Sequence, residues 1–226
     1  MEKVFKRYLI PLFAILAMIV LDQWTKILTL IHVKDTDGFY IIDNVLRIYF
    51  VRNEGMAWGM LQNKQIIFII LTPIVLAALI YFYYRMPFQK KYILARVCIL
   101  LLTGGAIGNL IDRVDLIDRN ALIGGTFQLG NVFHGYVVDM IYAEIINFPV
   151  FNVADSFITV GFFLLIFAII FVYKEKDFDL LFGKAKAEDD SNEGESDSNE
   201  EETNSDEKDS SEYDSEVKEE NSEQES

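Results

Sequence analysis

Asp139, in Gly135-Tyr136-Val137-Val138-Asp139-Met140, and Asp155, in Phe151-Asn152-Val153-Ala154-Asp155-Ser156, both stand close to apolar runs of bilayer-crossing length. A carboxylate at the centre of hydrocarbon costs roughly 2.5–3.5 kcal/mol on insertion scales, so such groups seldom persist near a membrane without a use. Two carboxyls brought within about 3 Å cannot both ionise near neutral pH. One is then free to act as general base toward water and the other as general acid toward a leaving amide nitrogen, which is the chemistry of an aspartic protease. Structural roles compete with that reading. Asp155 could serve as the N-cap of a helix, where free N–H groups meet a carboxylate, and Asp139 could be a plain loop residue.

Other polar residues gather around the pair. Asn152 precedes Asp155 by three positions, within reach across the site, and Asn109 in another apolar run is similarly disposed; amides at membrane depth also act simply as interhelical glue. Asp22 and Lys26 are spaced i, i+4, share one helix face and are expected to pair. Asp112-Arg113 closes an apolar run, where a cation favours the helix C-terminus and could alternatively hold a carbonyl or headgroup oxygen of a substrate. In Gly104-Gly105-Ala106-Ile107-Gly108 the small residues at i and i+4 permit close helix packing.

The elements that must position these groups are four apolar runs, approximately residues 8–30, 66–84, 92–111 and 157–173. Each approaches the roughly 20 residues a helix needs to cross a core of about 30 Å. Basic residues concentrate before the first run, between the second and third, and after the fourth, so both termini are expected in the cytoplasm. Tyr81, Tyr83 and Tyr84 beside Arg85 fit an interfacial aromatic belt. With that orientation Asp22, Lys26, Asn53, Asn109, Asp112, Arg113, Asp139, Asn152 and Asp155 all collect near the outer leaflet. In the first outer connection Leu46–Val51 is β-branched and aromatic and reads as a strand, Arg52-Asn53-Glu54-Gly55 as a turn, and Met56–Leu61 as a small interfacial helix.

Composition divides the chain in two. The formal charge is −14, yet from Glu188 to Ser226 there are 19 acidic residues and two lysines, leaving +3 for residues 1–187. That segment has too little apolar surface to offset the entropy of ordering and is expected to be a disordered acidic tail. The expected fold is therefore membrane all-α: four transmembrane helices at 1–187, a small extracytoplasmic β-rich element, and the tail at 188–226. Cys98 is the only cysteine, so no intrachain disulfide forms, and His32 and His134 stand in no metal-ligand spacing. No metal, cofactor or nucleic acid is expected.

Five strings in chain order resemble the bacterial lipoprotein signal peptidase family, also called signal peptidase II. They are Asp22-Gln23-Trp24-Thr25-Lys26, Arg52 through Gly59, Gly104 through Arg113, Val137-Val138-Asp139, and Phe151 through Ser156. The resemblance covers approximately residues 8–173. It implies that Asp139 and Asp155 form a catalytic dyad. It further implies that Asp22, Lys26, Asn53, Gly55, Asn109, Asp112, Arg113, Asn152 and Ala154 support the site or contact substrate. The implied reaction removes the signal peptide from a diacylglyceryl-modified prolipoprotein, before the modified cysteine, with membrane lipids as surroundings and a monomer as the working unit. Two departures from the family pattern are the connection Asp115–Tyr136, normally much shorter and expected here to form a hairpin or flap, and the acidic tail. Rival readings are a proton-coupled transporter or channel subunit relaying protons through Asp22, Asp112 and Asp155, and an inactive membrane scaffold.

Overall fold

Backbone N–H and C=O groups in hydrocarbon can bond only to one another, so apolar segments of this length become helices. The computed structural model describes residues 5–55, 65–130 and 132–182. Span one is Ile10–His32, entered through a π-helical turn at Phe5–Leu9; span two is Gln65–Arg85; span three is Ile93–Val114, preceded by a 3₁₀ turn at Lys90–Tyr92; span four is Val153–Phe171. All four are long and apolar enough to cross a membrane. Two boundaries correct the expected runs. Span four starts at Val153 rather than near residue 157, because Asp155 belongs to its first turn, and span three continues past Asp112-Arg113 to Val114.

Span three is central and packs against each of the other three. Its glycines explain how. Gly104 faces Met18 of span one, while a Cβ at Gly105 would lie 2.4 Å from the Ala154 carbonyl of span four. Adjacent glycines thus serve two neighbouring helices, and the packing role expected of this stretch is realised.

The β element is a three-stranded antiparallel sheet, β1 (Phe39–Ile42), β2 (Leu46–Asn53) and β3 (Val137–Ala143), in that order. The turn between β1 and β2 uses Asn44 at φ +57°, a conformation asparagine tolerates. β2 runs two residues beyond the expected strand and ends on Asn53. β3 was not expected, and it corrects the loop alternative for Asp139. Val137, Val138, Asp139 and Met140 are all buried, so the strand is covered on both faces and lacks the apolar–polar alternation that would betray it. Val138 and Met140 pack with Leu30 of span one, joined by Ile48 and Phe50 of β2.

Beyond β3 the chain turns at Glu144–Ile146 and doubles back. Phe151 pairs with Ile141 through hydrogen bonds of 2.8 and 3.0 Å. This return carries Asn152 and the start of span four to the side of Asp139.

The connection at 115–136 leaves span three through Asp115 at φ +48°. Ile117 pairs antiparallel with Leu129, a short helix at Arg119–Ile123 lies between them, and Gly135 N–H returns to the Arg113 carbonyl at 3.3 Å. The expected hairpin therefore exists, with a helical turn inside it.

At the opposite end of the bundle Asp177, on a terminal helix Glu175–Phe182, accepts from Lys91 Nζ at 2.5 and 2.6 Å and from the Tyr92 hydroxyl at 2.7 Å. Tyr81 and Tyr84 are exposed as a belt requires, but Tyr83 turns inward against Met86, Tyr92, Ala95 and Ile99. Cys98 is fully buried. The expected helix at Met56–Leu61 and the acidic tail lie outside the described residues.

Candidate active site

Strand pairing brings the first carboxylate into place. Asn53 lies opposite Val137 in the β2–β3 ladder, so Asn53 and Asp139 are diagonal neighbours on one face. Asn53 Nδ2 donates to Asp139 Oδ2 at 2.7 Å. Asn53 Oδ1 in turn accepts the Gly55 N–H at 2.9 Å, and this second bond fixes which way the amide points.

Asp155 is not the N-cap of span four. That position belongs to Asn152, whose Oδ1 accepts Asp155 N–H at 2.9 Å, while Asp155 Oδ2 accepts Asn152 N–H at 3.2 Å. The two form a reciprocal capping box, in which both partners satisfy orphan helix donors. Asn152 Nδ2 is left to donate to Asp139 Oδ1 at 2.7 Å and to Asn109 Oδ1 at 3.1 Å. Asp139 and Asp155 are thus held by the side chain and backbone of one residue. Asp155 Oδ1 accepts from Asn109 Nδ2 at 2.7 Å.

Asp139 is only 1% exposed. Burial, and after it the charge of Asp155, pushes its carboxyl up to about 7, against the opposing pull of the Asn53 and Asn152 donors.

Behind the asparagines lies a buried ionic cluster. Lys26 Nζ pairs with Asp22 Oδ2 at 2.8 Å and Asp112 Oδ2 at 2.7 Å, and donates to Asn109 Oδ1 at 3.1 Å. Lys26, Asp22 and Asp112 are each at most 1% exposed. Asp22 Oδ1 accepts the Ala154 N–H at 2.9 Å, so span one's carboxylate satisfies a free donor in the first turn of span four. Gly108 leaves room for this: a Cβ there would sit 2.6 Å from Asp22 Oδ2.

Arg113 donates to the carbonyls of Asn109 at 3.2 Å and Gly55 at 3.4 Å, and its guanidinium lies 4.8 Å from the Phe68 ring centre of span two. It therefore links span three, span two and the turn after β2.

All eleven residues singled out from the sequence meet at this end of the bundle. Two further participants were missed. Gln23 Nε2 donates to Asp22 Oδ2, the Gly108 carbonyl and Asp112 Oδ1 at 3.0–3.2 Å; a glutamine inside an apolar run was the available signal. Arg119 Nη1 reaches Asp112 Oδ1 at 2.8 Å and Nη2 the Tyr136 carbonyl at 2.9 Å. No periodicity marks Arg119, because it follows the break at Asp115.

The arrangement gathers two carboxyls around Asn152 and Asn109 at the end of a helical bundle, with amides of fixed orientation beside them. Comparison with known proteins identifies the family. Residues 14–171 match the family model described as signal peptidase (SPase) II. A lipoprotein signal peptidase of Geobacillus kaustophilus (strain HTA426) is 42% identical over 151 residues, 66% of this chain and 85% of the relative. One of Streptococcus thermophilus (strain CNRZ 1066) is 38% identical over 164 residues, 73% of this chain and 92% of the relative. A solved structure described as a bacterial membrane enzyme superposes with TM-score 0.57 at 34% identity, covering 74% of this chain and 96% of that one. With the matched region reaching all four membrane helices and containing Asp22 through Asp155 of the site, this chain belongs to the signal peptidase II family.

Proposed function

We propose that this protein removes signal peptides from prolipoproteins as an aspartyl endopeptidase, with Asp139 and Asp155 as the reacting pair. The observation that carries this reading is their convergence on Asn152, Asp139 through its side chain and Asp155 through its backbone. Asp139, raised to about 7, is the carboxyl that retains a proton near neutral pH. It protonates the departing amide nitrogen as the other carboxylate takes a proton from the attacking water. Asn53, Asn109 and Asn152 hold the carboxyls, and Arg113 and the turn at Gly55 border the path of the substrate strand.

The cleaved bond precedes a diacylglyceryl-modified cysteine, in the inner membrane, with a monomer as catalyst. The basic residues favour cytoplasmic termini, which turns the site toward the outer leaflet where a lipid-anchored substrate presents its scissile bond. Residues 1–187 form the peptidase and 188–226 an appendage. A proton relay is less well supported: the three acidic residues of the spans, Asp22, Asp112 and Asp155, cluster at one end instead of being distributed through the bilayer. Purified protein is expected to cleave a diacylglyceryl-modified precursor and leave the unmodified one intact; equal cleavage of both would refute the lipid requirement.

The shifted carboxyl also sets a pH dependence. A folded-state value raised above an ordinary aspartate, near 3.9, stabilises the fold fully below about pH 4, and this contribution is lost as pH rises through about 7. Turnover should fall above pH 7 as the acid loses its proton. Melting temperature should decline between pH 5 and pH 8, with a shallower decline in Asp139→Asn. A rate profile flat to pH 9 contradicts the assignment of Asp139 as the acid.

A further inference from the structure

We infer that Arg119, carried by the connection at 115–136, is a positioning residue for both aspartates; the inference rests on the dyad reading above. Two routes leave its guanidinium. Nη1 reaches Asp112 Oδ1 at 2.8 Å; Asp112 Oδ2 pairs with Lys26 Nζ at 2.7 Å; Lys26 donates to Asn109 Oδ1 at 3.1 Å; Asn109 Nδ2 donates to Asp155 Oδ1 at 2.7 Å. Nη2 donates to the carbonyl of Tyr136 at 2.9 Å, one residue before the strand that carries Asp139.

Charge explains why a cation is needed. Lys26 alone faces two carboxyls, Asp22 and Asp112, each at most 1% exposed. Arg119, its side chain 12% exposed, brings a second cation to Asp112. Without Arg119, Asp112 keeps the Gln23 amide at 3.0 Å but has Lys26 as its cation at salt-bridge distance, drawn toward Asp112 and away from Asn109. The Asn109 amide would then lose one of the bonds that hold its Nδ2 on Asp155.

Packing holds the same residue in place. The Tyr136 ring meets two guanidinium groups, Arg52 at 4.2 Å and Arg119 at 5.5 Å from its centre, and Phe50 edge-on. Cations over an aromatic face are attracted to its quadrupole. The connection thus locks onto the sheet end that carries Asn53.

The test uses full-length protein in lipid bilayers with a diacylglyceryl-modified precursor, comparing Arg119→Gln, Arg119→Lys, Asp112→Asn, Arg119→Gln with Asp112→Asn, and Asp139→Asn. Small misplacements of reacting groups cost on the order of 10²-fold in rate. Arg119→Gln is therefore expected to lower kcat about 10- to 100-fold with KM within about twofold. Arg119→Lys, which keeps the charge, should recover most of that loss. The double variant, neutral again, should turn over faster than Arg119→Gln alone. A merely structural anchor would not respond to removal of the opposite charge.

Wild-type kcat in Arg119→Gln, with Asp139→Asn inactive, overturns the role of Arg119 and leaves the dyad standing. A loss in Arg119→Gln that neither Arg119→Lys nor Asp112→Asn relieves reduces Arg119 to a tether of the connection. Activity retained in Asp139→Asn removes the dyad itself.

Discussion

Asp139→Asn and Asp155→Asn are each expected to lower turnover of a lipid-modified precursor by ~10³-fold while the protein still folds and inserts. Loss of a positioned general acid or base typically costs 10²–10⁴-fold, and hydrogen bonding here adds to it. The amides of Asn53 and Asn152 are locked, because their oxygens accept the Gly55 and Asp155 N–H groups. Their Nδ2 atoms must face Asp139, which accepts from both. An asparagine at 139 presents its own N–H₂ to one of them, donor against donor. That mismatch costs about 1–3 kcal/mol, enough to lower the melting temperature by several degrees without unfolding the bundle. Turnover of either variant within tenfold of wild type removes that aspartate from the reaction.

The largest stability effect is expected at Lys26. Lys26→Met keeps the apolar stem and deletes the ammonium between two fully buried carboxylates. Breaking a buried pair from one side costs about 3–5 kcal/mol, since a buried charge is left in excess of its counter-ions. For a chain of this size that corresponds to roughly ten degrees in melting temperature. The penalty belongs to the stranded charge, so adding Asp22→Asn to Lys26→Met, which leaves Asp112 paired with Arg119, should restore most of it. Activity should stay low in the double variant, because Asn109 Oδ1 has lost its cationic donor. Thermal unfolding in detergent reads both effects; a single variant within two degrees of wild type contradicts a buried, ionised cluster.

The spans were legible because hydrophobic length is a local property, and the Asp22–Lys26 pair because i, i+4 spacing fixes a helix face. β3 was hidden, since a strand buried on both faces reads as a continuous apolar run interrupted by one aspartate. Asp155 as N-cap was near the truth: Asn152-Val153-Ala154-Asp155 has the spacing of a capping box, and reading it so would have started span four at Val153. The pairing of Ile141 with Phe151, which brings Asn152 to Asp139, depends on the turn at Glu144–Asn147, where Asn147 at φ +48° and Pro149 mark a reversal but not which residues pair across it. Arg119 was beyond reach for a related reason. Its position relative to Asp112 is set by the left-handed residue Asp115, after which helical spacing no longer predicts neighbours.

The central claim is that both carboxyls act on the same scissile bond. It is tested most directly by a crystal structure with a diacylglyceryl-modified peptide in which that amide is replaced by a hydroxyl-bearing isostere. The hydroxyl is expected within hydrogen-bond reach of Asp139 and of Asp155 together. A hydroxyl seated away from either carboxyl, in a complex that still blocks cleavage, contradicts it.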